Sequence, residues 1–236
     1  MGNTMRRRRK VKAYIITLKG NIKSEEAAQR CKKSANIPIE TFDAVTDQSA
    51  IKLTLNYAIK WNYPWKGEEY DLKAGLKKTS YPTKEPLKRV ACFLSHYTLW
   101  KKCITLDEPV LILEHDAIFI KPLDYQYILD DKCEIVGIND PRGATRKAQV
   151  FHEKIQQKPQ RIQITPTIDD PTIPQGIAGN SAYIIKPSGA KKMLDLVKEY
   201  GAWPNDALMC KQLVQGLCVT REYYTKVQGL ESTTSW

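Results

Sequence analysis

The sequence predicts an α/β protein: one domain with a mixed, mostly parallel sheet flanked by helices. Its 236 residues, 42% hydrophobic and 27% charged, are ordinary for a soluble domain with a full core. The chain opens with a strand–helix–strand pattern, which favours a parallel sheet with a right-handed crossover. Further on, residues 110–113 form the short apolar run typical of a parallel strand covered on both faces.

The opening pattern consists of three segments. Residues 12–18 are rich in β-branched and aromatic side chains, as in a strand. Residues 24–33 have helix signals at both ends, with Ser24 as the expected N-cap, acids in the first turn and bases in the last. Residues 39–45 resemble a second strand.

The middle of the chain is less regular. Residues 46–85 are polar, and we predict no element there. Aromatic side chains cluster within 61–70, where they form either an acceptor-binding wall or, as we favour, a packed loop. Residues 90–105 then show the apolar spacing of a helix.

The second half predicts two strands and two helices. The strands span 133–138 and 181–185, and a helix runs from about residue 188 until Gly201 ends it. A final helix is expected near residue 205. The polar connection 139–174 is either an active-site lid or disordered.

The net charge of +11 is the least ordinary property of the composition. It suggests anionic partners such as nucleotides, nucleic acid or acidic membrane surfaces, although surplus surface lysine is an alternative. We expect residues 1–10, with the basic run 6–10, to be a disordered tail that associates weakly with anionic surfaces, and residues 11–236 to be the domain. We predict neither a signal peptide nor a transmembrane helix, and a cytoplasmic location.

Cysteines are expected to be structural. They occur at 31, 92, 103, 133, 210 and 218, and none belongs to a C-x-x-C pair. This spacing disfavours a zinc ribbon or a thioredoxin-type site, so we predict reduced, mostly buried thiols. Cys92 lies in an apolar run, which favours packing over chemistry.

The acids after the apolar run 110–113 are the strongest candidates for chemistry. If the strand continues, Glu114 and Asp116 point to one face and His115 to the other. Neighbouring carboxylates repel each other and are costly to bury, so a divalent cation is the simplest compensation. Mn²⁺ and Mg²⁺ prefer such oxygen ligands together with substrate phosphates, as a nucleotide-sugar transferase requires. Acids that only cap a strand end are the alternative.

The chain resembles glycosyltransferase family 25, which includes bacterial lipooligosaccharide galactosyltransferases and collagen galactosyltransferases. The likeness runs from about residue 12 to 220 and rests on six stretches in the family's order: KAYIITLKGN, FDAVT, RVACFLSHYTLWKKCI, VLILEHDAIF, GNSAYIIKPSGAKKML and WPNDALM. It implies a GT-A fold, a UDP-sugar donor, Mn²⁺ or Mg²⁺, and inversion at the anomeric carbon. The implied reaction moves a hexose, galactose or glucose, to a glycan such as lipopolysaccharide.

One position departs from the family pattern, which usually reads Glu-Asp-Asp where this chain has His115 in the middle. The resemblance makes Asp116 the first expected metal ligand and Glu114 the second, with Glu114 also near the ribose or sugar hydroxyls. His115 is a candidate donor-site residue, since a neutral histidine can contact the sugar or bind a metal.

Five further residues are expected around the donor. Thr17 and Leu18, at the end of the first strand, and Arg30 should lie near the nucleotide. Gly179 and Asn180 should approach the sugar, because glycine permits close contact with its backbone.

Asp206, in the stretch WPND, resembles the acid that serves as base in many inverting GT-A enzymes. An inverting transfer needs a base for the acceptor hydroxyl, and a helix start stabilises a carboxylate anion. An ordinary cap is the alternative. Ser95 and His96 are adjacent on a helix and diverge by about 100°, so they cannot form a dyad with each other. Structural packing is favoured for His96, with a donor-site or orienting role as the second interpretation.

Two other functions stay open. The basic tail and the net charge would suit a transferase acting on hydroxylated bases in DNA. Alternatively, His115 marks the decay of the site in a catalytically inactive protein that binds nucleotide-sugars or glycans.

Overall fold

A computed structural model describes residues 10–144 and 147–230, so that most of the basic run, residues 6–9, lies outside the described residues. The strands are β1 (Lys12–Thr17), β2 (Glu40–Asp43), β3 (Glu68–Asp71), β4 (Leu76–Thr79), β5 (Val110–Glu114), β6 (Ala117–Phe119), β7 (Ile135–Gly137), β8 (Ile162–Ile164), β9 (Ala182–Ile185), β10 (Leu217–Thr220) and β11 (Thr225–Val227). The helices are α1 (Ile22–Ser34), α2 (Asp47–Asn56), α3 (Pro86–Leu106), α4 (Gln126–Asp130), α5 (Ala148–Gln156), α6 (Pro187–Tyr200) and α7 (Asn205–Leu208), with a 3-10 turn at Pro141–Gly143.

A seven-stranded sheet organises the described residues, in the order β2-β1-β5-β9-β7-β10-β8. The pairs β2–β1, β1–β5 and β7–β10 are parallel, whereas β9 is antiparallel to both its neighbours and β8 is antiparallel to β10. Five strands therefore run in one direction and two in the other. The predicted mixed, mostly parallel sheet is confirmed.

Successive side chains of the central strands pack alternately into two hydrophobic cores, one on each face of the sheet. Tyr14 of β1 and Ile112 of β5 belong to the core that α3 and α6 cover. Ile15 and Leu113, one residue further along each strand, belong to the opposite core with α1 and α4. The continuous apolar run of β5 thus has the physical cause that the sequence suggested, which is burial on both faces.

The start of α1 differs from the prediction. Asn21 is the N-cap, and its side chain accepts a hydrogen bond from the amide of Ser24. Ser24 lies within the first turn, where its hydroxyl accepts a hydrogen bond of 2.9 Å from the amide of Leu18. Ser24 therefore ties the end of β1 to the helix instead of capping it.

Two segments predicted to be irregular contain regular structure. Within 46–85, Thr46 forms a capping box with Ser49 that starts α2, and β3 pairs with β4 in an antiparallel hairpin. Within 139–174, the chain forms the 3-10 turn, α5 and β8. The prediction was wrong there because these elements are short and polar, so they lack a long apolar period.

The cysteine prediction is wrong for one pair, because the structure joins Cys133 and Cys218 in a disulfide. Cys218 lies in β10 and Cys133 just before β7, and pairing of these strands brings their Cα atoms to 6.1 Å across 85 residues of sequence. Disulfides persist mainly in oxidising compartments, so this bond does not favour the cytoplasmic location, which stays a prediction.

The aromatic side chains within 61–70 are partly packed onto the core, which is the alternative that the sequence analysis favoured. Tyr63 is buried against Trp203, with ring centroids 5.8 Å apart. Trp61 stacks on Trp65 at 4.9 Å, and Trp65 and Tyr70 keep 40% and 53% of their surface exposed. Among the described helices, none has the length and apolar character needed to cross a membrane.

Candidate active site

The acid-bearing segment leaves the main sheet earlier than predicted. β5 ends at Glu114, and His115 and Asp116 form a turn that leads into β6. The alternation of side chains expected for a continuous strand is therefore wrong. The reason is that β6 pairs with β11 in a separate two-stranded sheet, so the chain must change direction after Glu114.

Asp116 is a partly buried residue whose carboxylate lacks full compensation. Its Oδ1 atom is buried and has no hydrogen-bond partner among the described residues. Burial, and secondly the negative charge of Glu114, raise the pKa of Asp116 from 3.8 to about 7, against the opposing effect of a hydrogen bond with Ser181. The arrangement favours a ligand that brings positive charge to this oxygen.

Glu114 is held by a buried hydrogen-bond chain. His96 Nε2 lies 3.3 Å from Glu114 Oε1, and its Nδ1 lies 2.9 Å from the hydroxyl of Tyr183. The indole of Trp100 donates to the same hydroxyl at 2.9 Å. Because an ionised carboxylate only accepts, a neutral His96 carries its proton on Nε2, and Tyr183 donates to Nδ1. His96 is buried and also orients Glu114, so the packing that was favoured for it is accompanied by the orienting role that was placed second.

Gln228 fixes the turn that carries His115 and Asp116. Its amide donates to the main-chain oxygen of Asp116 at 2.7 Å. Its side-chain nitrogen donates to the main-chain oxygens of His115 and Ala117 at 3.4 and 3.1 Å. Its side-chain oxygen accepts from Arg30 Nε at 2.7 Å. The turn is therefore positioned by a residue more than 100 positions away along the chain.

His115 occupies the middle of this turn and is partly buried. Burial lowers its pKa below the usual value, whereas the charge of Glu114 acts in the opposite direction. A lowered pKa favours the neutral imidazole near neutral pH, the form that can contact a sugar or bind a metal.

Asp206 lies at the start of α7, near the other acids. Burial raises its pKa, Arg89 opposes this, Glu114 adds to it, and a hydrogen bond from Tyr81 opposes it. The expectation that a helix start would favour ionisation is wrong, since α7 has only four residues and burial dominates. Gly176 packs against this segment so closely that a Cβ atom there would lie 2.2 Å from the carbonyl oxygen of Asp206.

Thr17 and Arg30 line an open cavity of about 650 Å³ at the carboxyl ends of β1 and β2. Lys19, Lys33 and several acids share its wall. Leu18, the third residue expected there, is outside the lining, and its amide bonds to α1 instead. The acids of the β5 turn and Asp206 do not line this cavity, so it adjoins β1 and α1 and not the carboxylates.

Gly179 and Asn180 lie in the loop before β9. Gly179 has a φ of +69°, and a Cβ there would come within 3.0 Å of the side chain of Asn139, so the backbone conformation itself calls for glycine. Both polar side-chain atoms of Asn180 are buried and lack partners within the described part of the chain. Such an amide is costly unless a ligand satisfies it.

The structure brings further residues to the site that the sequence analysis did not assign to it. Cys92 lies one turn before His96 on α3, and its sulfur, a ring nitrogen of His96 and a carboxylate oxygen of Glu114 all lie within 4.8 Å of one another. Arg89, on the same helix, lies over the ring of Tyr81 at 5.2 Å. The spacing of positions 89, 92 and 96 on one helical face was the available signal.

Comparisons with known proteins show which family the chain matches. Residues 10–209 match the family model described as "Glycosyltransferase family 25 (LPS biosynthesis protein)". No curated protein matches the chain. Among similar solved structures is that of mouse xyloside xylosyltransferase 1 in its apo form, with a TM-score of 0.44 and 9% sequence identity over 86% of this chain and 80% of that chain.

Proposed function

This chain belongs to glycosyltransferase family 25, and we propose that it moves a hexose, galactose or glucose, from a UDP-sugar to a hydroxyl of a glycan, with inversion and with Mn²⁺ or Mg²⁺. Membership of the family makes it a glycosyltransferase. The observation that carries the finer proposal is the buried, unpartnered oxygen of Asp116 beside the charge of Glu114.

Asp116 and Glu114 fit a divalent cation. A cation bound by Asp116 Oδ1 would supply the partner that this oxygen lacks and offset the repulsion from Glu114. Bound there, Mn²⁺ or Mg²⁺ would neutralise negative charge on the diphosphate leaving group. His96 would hold Glu114 in place, and Gln228 would hold the Asp116 turn.

In this proposal, one part of the protein would hold the nucleotide of the donor and another would hold its sugar. The cavity beside β1 falls within the usual size range of small-molecule sites, roughly 300–1,000 Å³, and Thr17, Lys19 and Arg30 would face the nucleotide there. Asn180 would exchange hydrogen bonds with sugar hydroxyls, because its amide offers both a donor and an acceptor.

Asp206 is the proposed base for the acceptor hydroxyl. Its raised pKa makes the ionised carboxylate a stronger proton acceptor than an ordinary aspartate. Arg89 and Tyr81 oppose this rise in pKa and stabilise the anion, which is the form that accepts the proton.

A glycan such as lipopolysaccharide is the proposed acceptor, in line with the description of the family. The basic run that suggested DNA or anionic surfaces lies largely outside the described residues, and no contact within them favours either partner. Association through that run therefore stays a prediction.

A donor screen tests the proposal. Purified protein is incubated with UDP-galactose, UDP-glucose or other UDP-sugars, with and without Mn²⁺ and a lipopolysaccharide acceptor, and released UDP is measured. We expect Mn²⁺-dependent release with one hexose donor, abolished in Asp116→Asn and retained in Asp195→Asn, a surface control on α6. No release with any donor would favour the inactive binding protein, and release without added metal would remove the cation from the proposal.

A further inference from the structure

A second set of metal-binding atoms lies beside the proposed Mn²⁺ position. The thiol of Cys92, the imidazole of His96 and the carboxylate of Glu114 present one ligand atom each, all within 4.8 Å of one another. We propose that these three residues bind a thiophilic divalent cation, with Zn²⁺ as the representative, at a site that shares Glu114 with the carboxylate pair.

The distances suit a small tetrahedral ion. Typical Zn–S and Zn–N or Zn–O lengths and a tetrahedral angle place the ligand atoms of such a site about 3.4–3.6 Å apart. The nitrogen of His96 and the oxygen of Glu114 are already 3.3 Å apart. Only the sulfur needs to approach, and it belongs to a side chain one helical turn from His96, on the same face of α3.

Neighbouring groups support the histidine as a ligand. Metal-bound histidines almost always donate their second ring N–H to an oxygen, which fixes the ring. Nδ1 of His96 faces the hydroxyl of Tyr183 at 2.9 Å, and Trp100 holds that hydroxyl. On binding, Nε2 would release its proton to solvent and Nδ1 would take one from solvent, so that the imidazole stays neutral. The hydroxyl of Tyr183, which donates to Nδ1 in the metal-free protein, would then accept from it.

Proton balance gives a further consequence. Burial, and secondly the charge of Glu114, raise the pKa of the Cys92 thiol, so the metal-free protein holds it protonated. Binding of Zn²⁺ converts this thiol to a thiolate and releases one net proton to solvent. The affinity should therefore increase with pH.

The partial exposure of Cys92 and Glu114 gives an ion access to the site. Of the four free cysteines, all within the described residues, Cys31, Cys103 and Cys210 are buried, whereas Cys92 is not. The side chain of Glu114 is 32% exposed. A fourth position, opposite the three ligands, would be filled by water, as in zinc sites with three protein ligands.

The test uses Co²⁺ as a spectroscopic probe with the full-length protein. We expect Co²⁺ to give thiolate-to-metal charge-transfer absorption in the wild type and in Cys103→Ala, a buried-thiol control, but not in Cys92→Ser. Zn²⁺ should abolish the signal by displacement, and its affinity should fall at least about 10-fold in Cys92→Ser. Absorption that persists in Cys92→Ser, or that never appears in the wild type, overturns the proposal.

A second measurement needs no variant, in case Cys92→Ser does not fold. Iodoacetamide attacks the thiolate, so the protein is alkylated at raised pH and mapped by peptide, and saturating Zn²⁺ should slow the modification of Cys92. Unchanged alkylation at saturating Zn²⁺ would contradict the site.

Because the zinc site and the proposed Mn²⁺ site would share Glu114, we expect Zn²⁺ to lower the transferase activity. Only this consequence rests on the proposed function. Inhibition by Zn²⁺ is measured for the wild type, Cys92→Ser and Cys103→Ala, each relative to its own rate without Zn²⁺. Binding without any transferase activity would refute the proposed function alone, whereas activity without thiolate absorption would refute the zinc site alone.

Discussion

Removing the charge of Asp116 should stabilise the metal-free protein while it abolishes metal-dependent activity. Asn in its place keeps the shape of the side chain and a hydrogen bond with Ser181, but it carries no charge to desolvate. The ionised aspartate is penalised by burial and by Glu114, as its raised pKa shows. Stability and activity should therefore change in opposite directions, which loss of a purely structural residue would not produce.

The size of the effect follows from the pKa. The rise from 3.8 to about 7 corresponds to an upper limit of about 4 kcal/mol, at ~1.4 kcal/mol per pKa unit. Between these two values the folded state holds one proton more than the unfolded state, so this group makes the unfolding free energy fall as pH rises through the window and level off above it. Asp116→Asn should thus be more stable than wild type by ~2–4 kcal/mol at pH 8, and this advantage should fall to roughly half or less at pH 5.

Urea unfolding at both pH values, with and without Mn²⁺, measures these differences. Mn²⁺ should stabilise the wild type at pH 8 and leave Asp116→Asn unchanged, and Asp195→Asn should behave as the wild type does. The reasoning is refuted if Asp116→Asn is less stable than wild type at pH 8, or if Mn²⁺ stabilises both proteins equally.

Three further changes test the remaining roles. Asp206→Asn should bind UDP-sugar with near-normal affinity by calorimetry but transfer roughly 10²–10⁴-fold more slowly. Because burial raises the pKa of Asp206, wild-type turnover should be lost with falling pH earlier than for an ordinary aspartate base, and a rate that is constant down to pH 4 would assign the base elsewhere. His115→Asp restores the usual family pattern and should alter UDP release only modestly, so complete loss in a folded protein would show a specific role for this imidazole. Gln228→Ala should weaken Mn²⁺ binding by ~10–100-fold in a fluorescence titration, and Gln228→Glu should not restore it, since a carboxylate cannot donate to the turn.

Patterns among neighbouring residues were sufficient to predict helix α6 and strand β5. The helix expected from about residue 188 is α6, and Gly201 follows it with a φ of +80°, a conformation suited to glycine at a helix end. The run 110–113 lies in β5 because burial on both faces demands apolar side chains at successive positions. In both cases the residues that determine the structure are neighbours in sequence.

Contacts between distant residues explain what the sequence analysis missed. In β4, Lys78 is fully buried and lies 3.1 Å from Asp71, so the hairpin depends on an ion pair in the interior that polar composition conceals. Gln228 reaches the turn of Asp116 only because β11 pairs with β6. The two acids were identified correctly as neighbours, but the turn between them follows from that pairing and not from their spacing.

Ser95 and His96 show how one short stretch supports two parts of the site. Adjacent helical side chains diverge by about 100°, so a hydrogen bond between the two was excluded from the sequence alone. The hydroxyl of Ser95 accepts from the amide of Val45 at 2.9 Å, which fixes the chain after β2. His96 points to Glu114 on the next strand but one. Through these two contacts, α3 couples the position of Glu114 to the part of the sheet that borders the proposed nucleotide cavity. The proposed metal ligand and the proposed donor surface are therefore held by the same helix.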